Sequence, residues 1–187
     1  VKDTLKSLLE GHQLGVLNSG FEIGIHTLRD LIDKCLERNE IAVLFDFENA
    51  FNASERALFL KLAATHIPEV AGLACWLYTQ ESELISRNGK HLRSKTGCQQ
   101  GCALSNLLFG LLILHINARL SNKGVRVRQY YWDDPFSVGR AEAMVRMLQE
   151  LQSMNVEGAD TRTGLNVRLD KVHFHCPTPE LAMKVAG

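Results

Sequence analysis

The chain carries no excess of either charge, since 21 lysines and arginines balance 21 aspartates and glutamates. No net field draws it toward nucleic acid over long range, which counts against a self-sufficient nucleic-acid enzyme, although a local basic groove stays open. It also lacks a disulfide framework. Its five cysteines are odd in number and irregularly spaced, as suits an intracellular, reducing compartment. Cys98 and Cys102 lie close together, and His173, His175 and Cys176 cluster near the end, but that spacing fits no familiar zinc finger. The longest apolar run, Leu104 to Ile116, is broken by Ser105, Asn106 and His115 and is too short to span a bilayer. There is no signal-peptide pattern, no internal repeat and no low-complexity linker. The chain opens on Val1, not Met, as expected of a piece of a longer product.

What is present is an ordinary globular composition. A length of 187 residues, 45% of them hydrophobic, is enough for one domain with a real core. Val1 to Glu10 reads as a short helix or lead-in, followed by a Gly-punctuated loop. From Glu22 the apolar residues Ile25, Leu28, Leu31, Ile32, Cys35 and Leu36 keep the spacing of one helix face, which ends at Asn39-Glu40. Ile41 to Phe45 is a continuous apolar run, short enough for a strand buried on both faces, and it delivers Asp46. Ser54 is a candidate N-cap for the next helix, and Pro68 opens another. Asn88-Gly89 predicts the turn of a hairpin between Leu84 and Arg93. An apolar helix is expected from Leu104 to Leu120, an amphipathic one from Ala141 to Met154, and a strand around Val172 to Phe174. This order of elements predicts an α+β fold, a small antiparallel sheet with helices packed on one face.

Two adjacent carboxylates stand out, in Tyr130-Tyr131-Trp132-Asp133-Asp134-Pro135-Phe136. A strand that turns and returns puts Asp133 and Asp134 at a hairpin tip. Taken alone, the pair reads as an Asp-rich surface turn. If that hairpin neighbours the strand ending in Asp46, three carboxylates converge at one sheet edge. Two Mg²⁺ ions roughly 3.5–4 Å apart require such oxygen ligands for phosphoryl transfer. Glu48 lies near the same edge and reads as a solvated neighbour.

Four stretches, in order, resemble the reverse transcriptases, especially the non-LTR retrotransposon type. Phe45-Asp46-Phe47-Glu48-Asn49-Ala50-Phe51-Asn52 looks like their first catalytic motif. The stretch from Gln100-Gly101-Cys102-Ala103-Leu104-Ser105 through Phe109 resembles Gln-Gly-x-Pro-Leu-Ser-Pro-x-Leu-Phe, and Tyr131-Trp132-Asp133-Asp134 matches the Tyr-x-Asp-Asp box. Gly164-Leu165 followed by Lys171 resembles the next motif, with Arg168 in its Asn place. Gln13-Leu14-Gly15-Val16 looks like the family's lead-in. The resemblance implies a polymerase palm over residues 41–176, preceded by a lead-in segment and helix over 1–40 and followed by a tail over 177–187.

By the same resemblance, Asp46 and Asp133 would hold two Mg²⁺ ions with Asp134 in support, and Lys171 would sit near the leaving phosphates. Phe51 would be the steric gate that favours deoxynucleotides. Gln100 and Gly101 would lie along the template and incoming nucleotide, beside Tyr131 and Trp132. Trp132 stands where the family places a small or unbranched residue, and an indole there is expected to crowd the primer end. Arg87, Lys90, Arg93, Lys95, Arg126 and Arg128 are candidates for a local basic face. The resemblance would place basic fingers motifs upstream and a thumb after Lys171, and neither is expected within these 187 residues. Two uses follow. An active palm would take an RNA template and a DNA primer, with Mg²⁺. A retired palm, needing no cofactor, would be a structural or binding subunit held by other proteins of a larger assembly.

Overall fold

A computed structural model describes residues 2–155 and 162–186. The chain begins with α1 (Lys2–Leu9) and a 3-10 turn (Leu14–Val16), then α2 (Gly20–Asp33) and α3 (Cys35–Arg38). After β1 (Ile41–Leu44) come α4 (Ala50–Ala53), α5 (Arg56–His66) and α6 (Pro68–Tyr78). A free hairpin, β2 (Ser82–Ile85) and β3 (His91–Ser94), leads to α7 (Ser105–Arg119). Next are β4 (Val125–Tyr131), β5 (Asp134–Gly139) and α8 (Ala141–Ser153). A second 3-10 turn (Leu169–Lys171), β6 (His173–His175) and α9 (Pro179–Ala186) complete the order. No helix among the described residues is long and apolar enough to cross a membrane.

The main sheet has the order β4-β5-β1-β6 and is antiparallel throughout. Alternate residues of β1 face opposite sides, as the strand's period of two requires. Ile41, Val43 and Phe45 enter the larger core with Phe59 of α5, Leu108, Leu111 and Leu112 of α7, and Met144 and Met147 of α8. Ala42 faces the other way, into a smaller core with Leu14, Leu31, Cys35, Phe136 and Val138. Thus α5, α7 and α8 cover one face, while α2 and the first 3-10 turn cover part of the other. The apolar helix α7 is buried on nearly all sides, which explains why its apolar residues show no stripe.

Several local expectations need correction. The first long helix breaks at Lys34, and Asn39, at φ 52°, ends α3 by donating its N–H to the carbonyls of Cys35 and Leu36. Leu36, after the break, is 62% exposed, and Ile25 of α2 is 50% exposed, while Leu31 and Cys35 are buried. Ser54 is not the N-cap of α5. Glu55 occupies that place, and the buried Ser54 hydroxyl instead donates back to the Phe51 carbonyl (3.0 Å). The β2–β3 turn is a three-residue loop rather than Asn88-Gly89 alone. The Gly89 N–H donates to the Ser86 carbonyl (2.9 Å), the Ser86 N–H to the Lys90 carbonyl (2.9 Å), and Gly89 takes φ +76°. The terminal stretch carries α9, whose Leu181 is buried against the core and whose Lys184 pairs with Glu142 of α8 at 2.8 Å.

Candidate functional site

The register of the sheet brings the acidic residues together. Pairing of β1 with β5 runs from Ile41↔Gly139 to Leu44↔Phe136, and the Phe45 N–H still donates to the Pro135 carbonyl (3.4 Å). Continuing that register two residues past Leu44↔Phe136 sets Asp46 opposite Asp134. Directly opposed residues of antiparallel strands lie about 5 Å apart with their side chains on one face. Across the β4–β5 hairpin Tyr131 pairs with Asp134, so the turn is Trp132 and Asp133, one residue earlier than expected, and Asp134 is not at the tip but opens β5. Trp132 takes φ 53°, a left-handed conformation unusual for so bulky a residue.

A fourth charge arrives from the far end of the chain. The segment before Lys171 runs beside the Asp46 segment. Phe47 bridges Val167, the Glu48 N–H donates to the Asn166 carbonyl (2.8 Å), and the Arg168 N–H donates to the Asp46 carbonyl (2.9 Å). The 3-10 turn then swings Lys171 back, and its Nζ donates to Asp46 Oδ2 at 2.6 Å. Asp46, Asp133, Asp134 and Lys171 therefore share one edge of the sheet. Glu48 is exposed beside them, in keeping with a solvated neighbour.

Electrostatics confirms the crowding. Burial, and after it the charge of Asp46, pushes the Asp133 carboxyl above the ordinary carboxylate range, against the pull of its own backbone hydrogen bond. Asp134 is also pushed up, by burial first and then by Asp133 and Asp46, with Lys171 offsetting part of the rise. Negative charge is thus only partly neutralised at this edge. Among the described residues, no three His, Cys, Asp or Glu side chains close into a finished metal-ligand set. The donor chemistry nevertheless suits a hard cation: three carboxylates, two of them disfavoured as anions by burial and by neighbouring carboxylates, with an ammonium already resting on the third. A cavity of about 420 Å³ opens beside them, edged by Asp46, Asp134 and Lys171 and walled by Phe21, Ile25 and Leu28 of α2.

The other expected residues lie as follows. Phe51 is half-buried with its ring stacked on Phe109, centroids 4.5 Å apart, and its carbonyl accepts the Cys98 N–H (2.8 Å). Gln100 and Gly101 are exposed in the loop before α7, in a turn closed by the Cys102 N–H on the Gln99 carbonyl (3.1 Å) with Gly101 at φ +86°. Tyr131 is half-buried, its ring edge-on to Phe21 at 5.4 Å. The Trp132 indole does not project freely from the tip. It lies over Gly15, where an added Cβ would overlap the ring. The basic face is smaller than expected. Arg128 is buried, donating to Asn117 Oδ1 (3.2 Å) and the Ser121 carbonyl (2.9 Å), while Arg126 is paired with Glu40 at 2.6 Å.

Two residues matter here that sequence reasoning passed over. Gln13, noted only as part of a lead-in, is fully buried against the hairpin tip. Arg56 is buried and donates to the carbonyls of Gly97 (2.9 Å), Ser94 (3.0 Å), Thr96 (3.2 Å) and Gln80 (3.4 Å) and to Ser94 Oγ (2.8 Å), fastening the loop that leads to Gln100-Gly101. A lone arginine near a helix start gives no signal of this.

The sequence matches the family described as reverse transcriptase (RNA-dependent DNA polymerase) over residues 2–184. The chain belongs to the reverse transcriptase family. No curated protein matches it. Among solved structures, apo telomerase from Candida tropicalis is similar at TM-score 0.66 and 12% identity, over 94% of this chain and 35% of that one. Telomerase from Candida albicans, in complex with a three-way-junction (TWJ) fragment of telomeric RNA, is similar at TM-score 0.64 and 13% identity, over 93% and 34%. At such identities the likeness establishes the fold, and this reverse transcriptase domain spans about a third of the telomerase chains it matches.

Proposed function

We propose that the chain is the palm of an RNA-directed DNA polymerase of the non-LTR retrotransposon type, adding deoxynucleotides to a DNA primer on an RNA template. The palm would extend over 41–176, with 1–40 bracing it and 177–187 closing its far end. The observation that carries this reading is the gathering of Asp46, Asp133, Asp134 and Lys171 on one sheet edge, in a chain of this family. Magnesium bound there would supply Lewis-acid stabilisation of the attacking and leaving oxygens. Asp46 and Asp133 offer the principal oxygen ligands and Asp134 a supporting one. Lys171, exposed and resting on Asp46, is within a side chain's swing of the space in front of the carboxylates, where its ammonium offsets charge on a leaving phosphate.

Phe51, fixed by its stack on Phe109, acts as the steric gate against a ribose 2′-hydroxyl. Gln100 and Gly101 meet the template strand and the nucleotide from their exposed turn, and Tyr131 and Trp132 border the primer end. The experiment is primer extension by the protein with its flanking regions, given an RNA template, deoxynucleotides and Mg²⁺. Extension supports the reading, and its absence in intact protein overturns it.

A second reading is favoured by one observation. Trp76 and Leu73 on α6 are 77% and 51% exposed, and Ile85 on the free hairpin is 67% exposed, as on a surface that other subunits cover. In that case the palm is a retired structural subunit. It would co-purify with protein partners in fixed stoichiometry, and Asp46→Ala would leave the assembly intact. Loss of assembly in that variant would count against this reading.

A further inference from the structure

We infer that Gln13 is a positioning residue for the Trp132-Asp133 turn that leads into Asp134, its carboxamide acting as a surrogate strand partner for Trp132. The inference rests on the reading of that turn as the metal-holding edge.

Gln13 lies 119 positions from Trp132 and is fully buried, yet both ends of its amide are spent on that one residue. The Trp132 N–H donates to Gln13 Oε1 at 2.6 Å, and Gln13 Nε2 donates to the Trp132 carbonyl at 3.2 Å. The first group belongs to the peptide that enters Trp132 and the second to the peptide that joins Trp132 to Asp133. Both planes are fixed, and with them the direction in which Asp133 leaves the turn. This matters because Trp132 takes φ 53°, a conformation a bulky L-residue holds only when its surroundings impose it.

The main chain and the ring complete the grip. The Tyr130 N–H donates to the His12 carbonyl (2.8 Å), and Gln13 makes a parallel bridge to Tyr130, so the lead-in adds a single bridge to the free edge of β4. Gln13 Oε1 also accepts the Gly15 N–H (3.3 Å), which shapes the turn that leaves room for the indole. A buried glutamine serving only to fill space would not need to match a donor and an acceptor on the same distant residue. Glutamate could accept but not donate when ionised, and would add a charge beside three carboxylates. Leucine keeps the bulk and loses both bonds.

The test compares the full chain with Gln13→Leu and Gln13→Glu. Amide hydrogen exchange is followed by NMR without divalent ions, and Mn²⁺ affinity is titrated at the carboxylate edge. We expect Trp132 N–H exchange to accelerate at least 10-fold in Gln13→Leu, and less in Gln13→Glu, which keeps the acceptor and loses the donor, while α7 amides keep their protection. In Gln13→Leu, which adds no charge, Mn²⁺ affinity should fall about 10- to 100-fold, the range seen when groups that orient metal ligands are lost. Unchanged exchange at Trp132 in Gln13→Leu, or acceleration spread equally over α7, overturns the inference. If the wild-type chain binds no Mn²⁺, the metal-edge reading fails, and the exchange data still decide whether Gln13 fixes the turn.

Discussion

The β4–β5 and β2–β3 hairpins are held in opposite ways. The β4–β5 hairpin is sandwiched between β1 on one edge and the Gln13 lead-in on the other, with Tyr130, Phe136 and Val138 buried. The β2–β3 hairpin pairs only with itself, and Leu84, Ile85 and Leu92 stand exposed along it. An isolated two-stranded hairpin is marginal in water. Here Arg56 fastens its base through the Ser94 carbonyl and hydroxyl. The acidic turn thus sits on strands paired on both edges, with Gln13 holding both peptides of Trp132.

Substitutions at either hairpin test that contrast. The largest effect is expected at Asp133→Ala, with primer extension by the intact protein falling on the order of a thousandfold or more, since one of the two carboxylates that would chiefly hold the metal ions is lost. Thermal unfolding of the same variant should change little, and a parallel loss of fold would refute a site role. Arg56→Met should cost about 3 kcal/mol in urea unfolding, because it removes a guanidinium that holds the buried Gly97 carbonyl and four part-buried acceptors at once. A cost below about 1 kcal/mol would show that the hairpin base is held by something else.

A smaller effect concerns charge. The folded pKa values of Asp133 and Asp134 lie above those of unfolded carboxylates. Their contribution to stability is therefore fullest below the ordinary carboxylate range and is lost as pH rises through the raised values. Asp134→Asn should flatten that decline and, as Asp134 is largely exposed, gain only roughly 0.5 kcal/mol near neutrality. A melting series against pH, without divalent ions, checks the sign. Smallest of all, Ile85→Ser on the free hairpin should stay within about 0.5 kcal/mol of wild type. A larger loss on the isolated chain would mean that the residue is covered.

What the sequence made legible follows from the distance over which each signal acts. The run from Ile41, the apolar helix after Ser105 and a hairpin around Asp133 are local patterns, and all three appear in the fold, the hairpin with its turn one residue earlier than read, at Trp132-Asp133. The break at Lys34, the return of the Ser54 hydroxyl to Phe51 and the three-residue loop before Lys90 depend on competing local bonds that composition does not rank. Arg128 resembled its neighbour Arg126 as a surface cation, but Asn117 and Ser121 draw it inward. The motif residues of the site could be located by resemblance, whereas Gln13 and Arg56 could not be given their roles, because their partners lie far along the chain.

The most direct test of the central claim is affinity cleavage with Fe²⁺ in place of Mg²⁺, using ascorbate and peroxide to cut the backbone beside the bound ion. The account predicts cuts clustered at Asp46 and at Asp133-Asp134, suppressed by excess Mg²⁺ and lost in Asp46→Asn and Asp133→Asn. Cuts that fall elsewhere, or that persist in those variants, would contradict a metal centre at this edge of the sheet.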